Sequence, residues 1–491
     1  MLSRIKSLSG KTMIYGLGGL LPGAIGFILL PLYTQFLTPA DYGILNLAAT
    51  LSAVLVILLE FGLSGAFTRF YYDYLNNPEQ QRKYYGTLWL FLTFVPLTVI
   101  LLAIIYGESF FSILFKQIPF DPYIQSSLWI TFFTISSALP LALFRVKEQP
   151  LIYIILTISK FLLTTCTIII FVTFLNQGAA GSLKGQALAG LVFLIPFTVI
   201  SLRNMSLTFK PKLFTPSFTY GAPLILHQLS GWALNLSDRI LLERYVSLQD
   251  LGVYSLGYKI AQILDLVLNS IILAWTPFFF RTASTEPDAP QTFARLTTYF
   301  ILLILFVALG ISLLSDSVIQ IMAQPDYYAA SEVTPVVVLA FIAHGFYFMF
   351  VGPLFYTKNT GSLSIFTLIA ASLNIILNII LLPRVGYMAA AWNTVVGFTL
   401  LSILVYLKAR KAYHIPYEFT RLLILLGSAG FCFLVISQVD LANPLLEILV
   451  RTIGILIFPI VLLLLKFFTP RELSGMRIIL DAGLRKIALR K

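Results

Sequence analysis

Charge is scarce in this chain. Asp, Glu, Lys and Arg make up 11% of its 491 residues, whereas soluble domains carry about 25%. A soluble enzyme with a polar skin is excluded on that ground. Histidine and cysteine are scarcer still, with three and two copies. No histidine stands at metal-ligand spacing from a second His or Cys. Cys166 and Cys432 fall inside apolar runs, where a small packing role is expected rather than a disulfide. A phosphate-cradling G-x-x-x-x-G-K loop is missing, and so is any Pro-rich or Ser-rich linker. Hydrophilic segments reach only about 20 residues, too few for a soluble catalytic domain. Asp41, Glu108, Asp121, Asp316 and Asp326 are scattered singly, so the paired carboxylates expected of a membrane glycosyltransferase are not found. The basic start "MLSRIKSLSGKTMIYGLGG" lacks a small-residue cleavage site, so its apolar run is expected to remain as a first span.

What fills the chain is apolar: 58% of the residues are hydrophobic. Runs of about 20 such residues recur along its length, the signature of a polytopic all-α membrane protein. Hydropathy predicts about fourteen transmembrane helices. They start near Lys11, Gly43, Gly86, Ser126, Leu151, Lys184, Ser217, Leu251, Phe293, Thr334, Gly361, Met388, Thr420 and Leu445. An even number puts both termini on one side. Most of the 33 basic residues lie on that side, among them Arg82, Lys83, Arg203, Lys210, Lys212, Lys408 and Arg410, while "SDSVIQIMAQPDYYAASE" has none. By the positive-inside rule that side is the cytoplasm. The net charge of +12 is thus a topology signal, and no contiguous basic domain exists to hold nucleic acid.

Two segments repeat. "FLTPADYGILNLAATL" from Phe36 and "YVSLQDLGVYSLGYKI" from Tyr245 align Asp41 with Asp250, Gly43 with Gly252 and Leu47 with Leu256. Upstream, "IYGLGGLLPG" from Ile14 resembles "TYGAPLILHQ" from Thr219. Two matches in the same order suggest two homologous halves, residues 1–209 and 210–410. They would be parallel, and would enclose a central hydrated cavity, as transporter repeats do. Residues 411–466 add two spans. In 467–491, Met476, Ile479, Leu480, Leu484 and Ile487 share one face of a basic amphipathic helix, expected to lie on the cytoplasmic leaflet.

Several spans carry polar residues at helical spacing, which in a membrane mark a bundle interior or a watery path. Lys259, Gln262, Asp265 and Asn269 share a face of the eighth span; Thr157, Lys160, Thr164 and Thr167 share one of the fifth. His227, Gly231, Asn235 and Asp238 line the seventh, and Glu60 in the second aligns with Asn269 of the repeat. Asp238 and Arg239 are adjacent, so on one helix they are expected to face different partners. Candidates are Asp265 or Glu60 for Arg239, and Lys259 for Asp238. Plainer readings stand beside these: Thr and Asn bonding to the backbone, a packed His227, and Arg239 snorkelling to the interface.

"LSDRILLERYVSLQDLGVYSLGYK", with Ser237, Asp238, Arg239, Gly252, Tyr254, Ser255 and Lys259, resembles the seventh-to-eighth-span signature of polysaccharide-export flippases. "GFILLPLYTQFLTPADYGILNL", with Pro31, Tyr42 and Gly43, resembles their first-half signature. The resemblance covers nearly the whole chain. It implies the multidrug/oligosaccharidyl-lipid/polysaccharide exporter superfamily and its O-antigen flippase branch. Such proteins pass polyprenyl-diphosphate-linked oligosaccharide between leaflets of the bacterial cytoplasmic membrane, as transporters rather than enzymes. No cofactor is implied; H+ or Na+ is the candidate coupling ion, and polysaccharide polymerase and chain-length proteins are candidate partners. Lys160, Arg239 and Lys259 are then candidates for a cationic path, with Arg69, Arg145 and Arg281 at its inner mouth. The first span has no Arg-Asp pair, which argues against the peptidoglycan-precursor branch. A cation-coupled drug exporter and a membrane-embedded sugar polymerase or ligase remain as alternatives.

Overall fold

The computed structural model describes residues 27, 29–439, 441, 443–470 and 472–474. The expected tail helix and most of the first span lie outside them. Among the described residues the chain is helical and has no strand, as apolar surroundings demand, since in lipid every backbone N–H and C=O must be bonded internally. The helices are α1 (Leu30–Phe36), α2 (Pro39–Glu60), α3 (Leu63–Phe70), α4 (Pro78–Leu114), α5 (Gln125–Val146), α6 (Pro150–Ile169), α7 (Gly178–Asn204) and α8 (Pro211–Tyr245). They continue as α9 (Leu248–Thr285), α10 (Ala289–Met322), α11 (Ala330–Tyr356), α12 (Gly361–Val385), α13 (Met388–Ala412), α14 (Phe419–Ile436), α15 (Pro444–Ile455) and α16 (Ile457–Leu464).

Twelve helical segments among the described residues are long and apolar enough to cross a membrane. α8 is not one of them, although its 35 residues exceed the required length. His227, Gln228, Asn235, Asp238 and Arg239 make it too polar, and that polarity is what a helix facing other helices tolerates. The starts of α2, α4, α6, α8 and α15 share one device, a proline in the first turn, where the missing N–H is harmless. α2 ends at Phe61 and Gly62, both left-handed with φ 54° and 65°.

The chain divides into two compact units. The first comprises residues 1–256, 322–330 and 361–397, and in it α8 packs on α12 and α2, and α7 on α5 and α6. The second comprises 257–321, 331–360 and 398–491. Its core holds Trp275, Phe279 and Phe293, with the last two rings stacked at 4.1 Å. There the added helices are pinned by charge. Arg451 is buried, paired with Glu447 at 2.6 Å, and donates to Leu313 O and Val439 O, each at 2.8 Å. Arg421 bridges Glu418 at 3.0 Å and Glu472 at 3.1 Å. Burial alone would raise the Glu472 carboxyl, but hydrogen bonds from Tyr299, Thr469 and Arg421 bring it down to about 2.

Candidate functional site

The two signature segments build the same local structure. Thr38 Oγ1 accepts from Asp41 N (3.2 Å) while Asp41 Oδ2 accepts from Thr38 N (3.3 Å), a capping box that starts α2. At the start of α9, Ser247 Oγ accepts from Asp250 N (3.0 Å) and donates to Asp250 Oδ2 (2.8 Å). These two helix starts then meet. A Cβ on Gly43 would stand 2.5 Å from Leu248 O, and one on Gly252 would stand 1.7 Å from Pro39 O. Leu248 precedes Gly252 by the same four residues as Pro39 precedes Gly43. The contact is therefore reciprocal, as across a local twofold axis. Only glycine permits so close an approach of backbones.

Neighbouring turns extend this closed end of the first unit. Thr34 Oγ1 donates to Met322 O and Gln324 Nε2 to Gln35 O, each at 2.7 Å. Tyr327 Oη donates to Leu37 O at 3.0 Å, and its ring meets Tyr42 edge-on. Glu243, fully buried at the end of α8, accepts from Gln117 N at 2.6 Å, and Gln117 Nε2 donates to Val246 O at 2.7 Å.

Asp238 and Arg239 lie on α8 and are 3% and 4% exposed. The expectation that adjacent residues seek different partners is corrected here. Arg239 Nη1 donates to Asp238 Oδ1 and to Asn235 O, both at 2.8 Å. Long side chains on a helix lean back toward its N-terminus, so the guanidinium curls along its own helix. In apolar surroundings the nearest carboxylate is favoured over a longer reach. Asp238 Oδ1 also accepts from Arg239 N at 2.9 Å, while Oδ2 accepts from Tyr254 Oη. The Tyr254 ring lies 5.9 Å from the guanidinium carbon. Tyr254 stands two residues past Gly252, so the ion pair adjoins the reciprocal contact.

Other candidates of the first unit lie apart from this cluster. Lys160, on α6, donates to Ser137 Oγ of α5 at 3.3 Å and stands 5.9 Å from the Phe197 ring centre. Glu60 is half-buried at the end of α2, and His227 is exposed on α8. Arg69 is exposed and pairs with Asp73 at 3.3 Å; Arg145 is exposed at the end of α5. In the second unit Lys259, Gln262 and Asp265 are half-buried on α9, and Asn269 and Arg281 are exposed. Asn269 Nδ2 donates to Asp265 Oδ2 at 3.0 Å.

Sequence reasoning missed three clusters. One is a chain of buried asparagines: Asn393 Nδ2 donates to Asn378 Oδ1 (2.8 Å) and Asn378 Nδ2 to Asn374 Oδ1 (3.0 Å). The i,i+4 pair Asn374 and Asn378 in an apolar run was its available signal. The second is Arg451 with Glu447. The third is His344 on α11, whose Nδ1 lies 3.4 Å from Asp265 Oδ1. A lone polar residue in "LAFIAHGFYFMF" was its only trace. No group of three His, Cys, Asp or Glu suited to a metal occurs among the described residues.

The family model described as polysaccharide biosynthesis protein matches residues 8–283, more than half of the chain. A curated relative, Lsg locus putative protein 1 of Haemophilus influenzae, is 23% identical over 328 residues, 63% of this chain and 75% of its own. Among solved structures, an inward closed conformation of the lipid II flippase MurJ is similar with TM-score 0.72 and 14% identity, covering 91% of this chain and 98% of that one. An inward-facing multidrug resistance MATE transporter has TM-score 0.65 and 14% identity, covering 85% and 99%. At such identity the structures show a shared fold. The chain belongs to the polysaccharide biosynthesis protein family, and it shares the fold of the flippase and multidrug-transporter structures.

Proposed function

We propose that the protein is a flippase for polyprenyl-diphosphate-linked oligosaccharide in cell-surface polysaccharide biosynthesis. It would act in the bacterial cytoplasmic membrane with both termini in the cytoplasm. The observation that carries this reading is the buried Asp238–Arg239–Tyr254 cluster beside the junction of the two signature helices. A diphosphate is anionic, and its passage through hydrocarbon requires a cation that can exchange partners. Arg239, held by a carboxylate and a carbonyl of its own helix, has that property. Within the first unit, Lys160, Glu60 and His227 are the further candidates to meet the headgroup. Arg69 and Arg145 of the first unit would receive the headgroup at its cytoplasmic end.

The sealed end, from Thr34 to Tyr42 and from Tyr245 to Tyr254, is read as the outer gate. Opening it parts Gly43 from Gly252 and strains the cluster next to them, so headgroup binding and gate opening compete for Arg239. Residues 1–209 and 210–410 are read as the two rocking halves. No covalent bond changes, so no catalytic residue is needed. Polymerase and chain-length proteins would receive the product.

The test is reconstitution of the purified protein with a defined lipid-linked oligosaccharide, whose exposure is read by an impermeant glycosidase. Protein-dependent exposure, lost in Arg239→Ala, is expected. Exposure no faster than in protein-free vesicles would defeat the reading, and transport of cationic drugs instead would favour a multidrug exporter.

A further inference from the structure

Within the first unit, the linker 205–210 between α7 and α8 is fastened along the first turns of α4. Ser206 N donates to Arg82 O at 3.0 Å, Arg82 Nη2 to Arg203 O at 3.3 Å, and Lys210 N to Thr87 Oγ1 at 3.1 Å. Gly86 admits Ser206 O so closely that a Cβ there would stand 2.1 Å from it. The seam uses backbone atoms of the linker, so it sets the spacing of the neighbouring lysines without help from their charges. Beside it lies a cavity of about 290 Å3, whose lining includes Asn77, Glu79, Lys83, Lys210, Lys212 and Leu213. That volume stands at the low end of small-molecule sites, about 300 Å3 and upward, and suits a headgroup rather than a whole lipid.

Charge in the cavity is unbalanced. Glu79 pairs with Lys83. Among the described residues Lys210 and Lys212 have no ion pair. α4 and α8 both begin here, and α8 has no side-chain N-cap, so the positive ends of two helix dipoles add to the ammonium groups. Like charges held together by a seam repel one another, and an anion between them relieves that repulsion. The linker also carries Leu207, 71% exposed, and Phe209, 46% exposed, whose apolar surface favours hydrocarbon beside the charge. Lysines solvated among headgroups would satisfy the positive-inside rule, but that rule calls for neither the seam nor the cavity.

We propose that this cavity binds the phosphate monoester headgroup of a lipid in the cytoplasmic leaflet. A phosphate monoester carries a charge of about −1.5 to −2 at pH 7, which matches the two unpaired ammonium groups. Basic pockets between membrane helices hold phosphate headgroups in this way. Lys210 and Lys212 meet the phosphate oxygens, and the hydrocarbon runs past Leu207 and Phe209. α4 belongs to the first repeated half and α8 opens the second, so a bound headgroup staples the halves together. It does so at the end of α8 opposite the Gly43–Gly252 contact, with the 35 residues of α8, about 50 Å of helix, between them. The site goes beyond the flippase reading and stands whatever the cargo is.

In the test, detergent-purified full-length protein is titrated with phosphatidic acid, phosphatidylglycerol or phosphatidylcholine, and bound lipid is counted by native mass spectrometry. One saturable phosphatidic acid is expected, bound more tightly than either other lipid. Lys210→Gln with Lys212→Gln should weaken it about thirtyfold and keep the seam, because Lys210 donates through its backbone N–H. Arg410→Gln with Lys411→Gln, which removes the same charge from the last turn of α13, should bind like wild type. Equal weakening by both pairs overturns the site, since the lysines then act only as general surface charge. Phosphatidylglycerol bound as tightly as phosphatidic acid overturns the monoester assignment. Inorganic phosphate should bind far more weakly than phosphatidic acid, and Leu207→Ser with Phe209→Ser should weaken the lipid alone. Inorganic phosphate bound as tightly as the lipid would assign the cavity to a free anion and overturn the lipid assignment. Thermal unfolding gives an independent check. Without lipid the Lys210/Lys212 double variant should unfold at the wild-type temperature, and phosphatidic acid should raise that temperature in wild type only. An equal rise in both proteins overturns the site.

Discussion

Replacing Arg239 by alanine leaves Asp238 buried at 3% exposure without its guanidinium. Removing one member of a buried pair costs about 3–5 kcal/mol, because the survivor is an uncompensated charge. The two single variants should fall at opposite ends of that range. In Arg239→Ala the carboxylate still accepts from the backbone N–H of residue 239 and from Tyr254 Oη, so the cost should be nearer 3 kcal/mol. In Asp238→Ala the guanidinium loses its counter-charge while keeping Asn235 O, so the cost should be nearer 5 kcal/mol. The double variant Asp238→Leu with Arg239→Met removes both charges at similar volume. Such replacements of buried pairs are often neutral or stabilising. Thermal unfolding of detergent-purified protein should therefore rank Asp238→Ala below Arg239→Ala, with the double variant close to wild type. Flipping should follow a different order. Arg239→Ala and the double variant should both be inactive, because each lacks the cation. A double variant that folds and flips like wild type would refute the role of the pair, and single variants as stable as wild type would refute its burial.

Four other outcomes are expected. Lys160→Ala should abolish export at near-normal protein level, and Lys160→Arg should retain part of it, since charge survives with altered geometry; full activity of the alanine variant in cells would reduce Lys160 to a structural residue. Gly252→Val should sharply lower the yield of folded protein or its unfolding temperature, because its Cβ would stand 1.7 Å from Pro39 O. Gly310→Ala, with nothing within 4 Å of its Cβ, should be neutral or more stable by up to about 1 kcal/mol. With Cys166 and Cys432 replaced, Gln35→Cys with Gln324→Cys should accept a short cross-linker that stops export until it is cleaved; export undiminished by complete cross-linking would show that these turns do not part during transport.

Apolar runs of membrane-spanning length determined the all-α, polytopic class, because lipid leaves the backbone no other way to satisfy its hydrogen bonds. The repeated Thr38/Asp41 and Ser247/Asp250 boxes were likewise visible, since capping is a local interaction over four residues. The same locality made α8 readable as a polar stripe with Asp238 and Arg239 on it. What the stripe does with those charges was not readable. Helix periodicity says where a Cβ points, but Arg239 has a long flexible stem, and its choice of Asp238 follows from burial by packed neighbours. The reciprocal Gly43–Gly252 contact, 209 residues apart in the chain, likewise needed tertiary structure, although both glycines had been aligned. His344 stood alone in an apolar run and meant nothing until α11 was laid against α9. Local pattern specifies helices and their polar faces; partners across helices depend on packing at separations of many tens of residues, where a single sequence carries no signal.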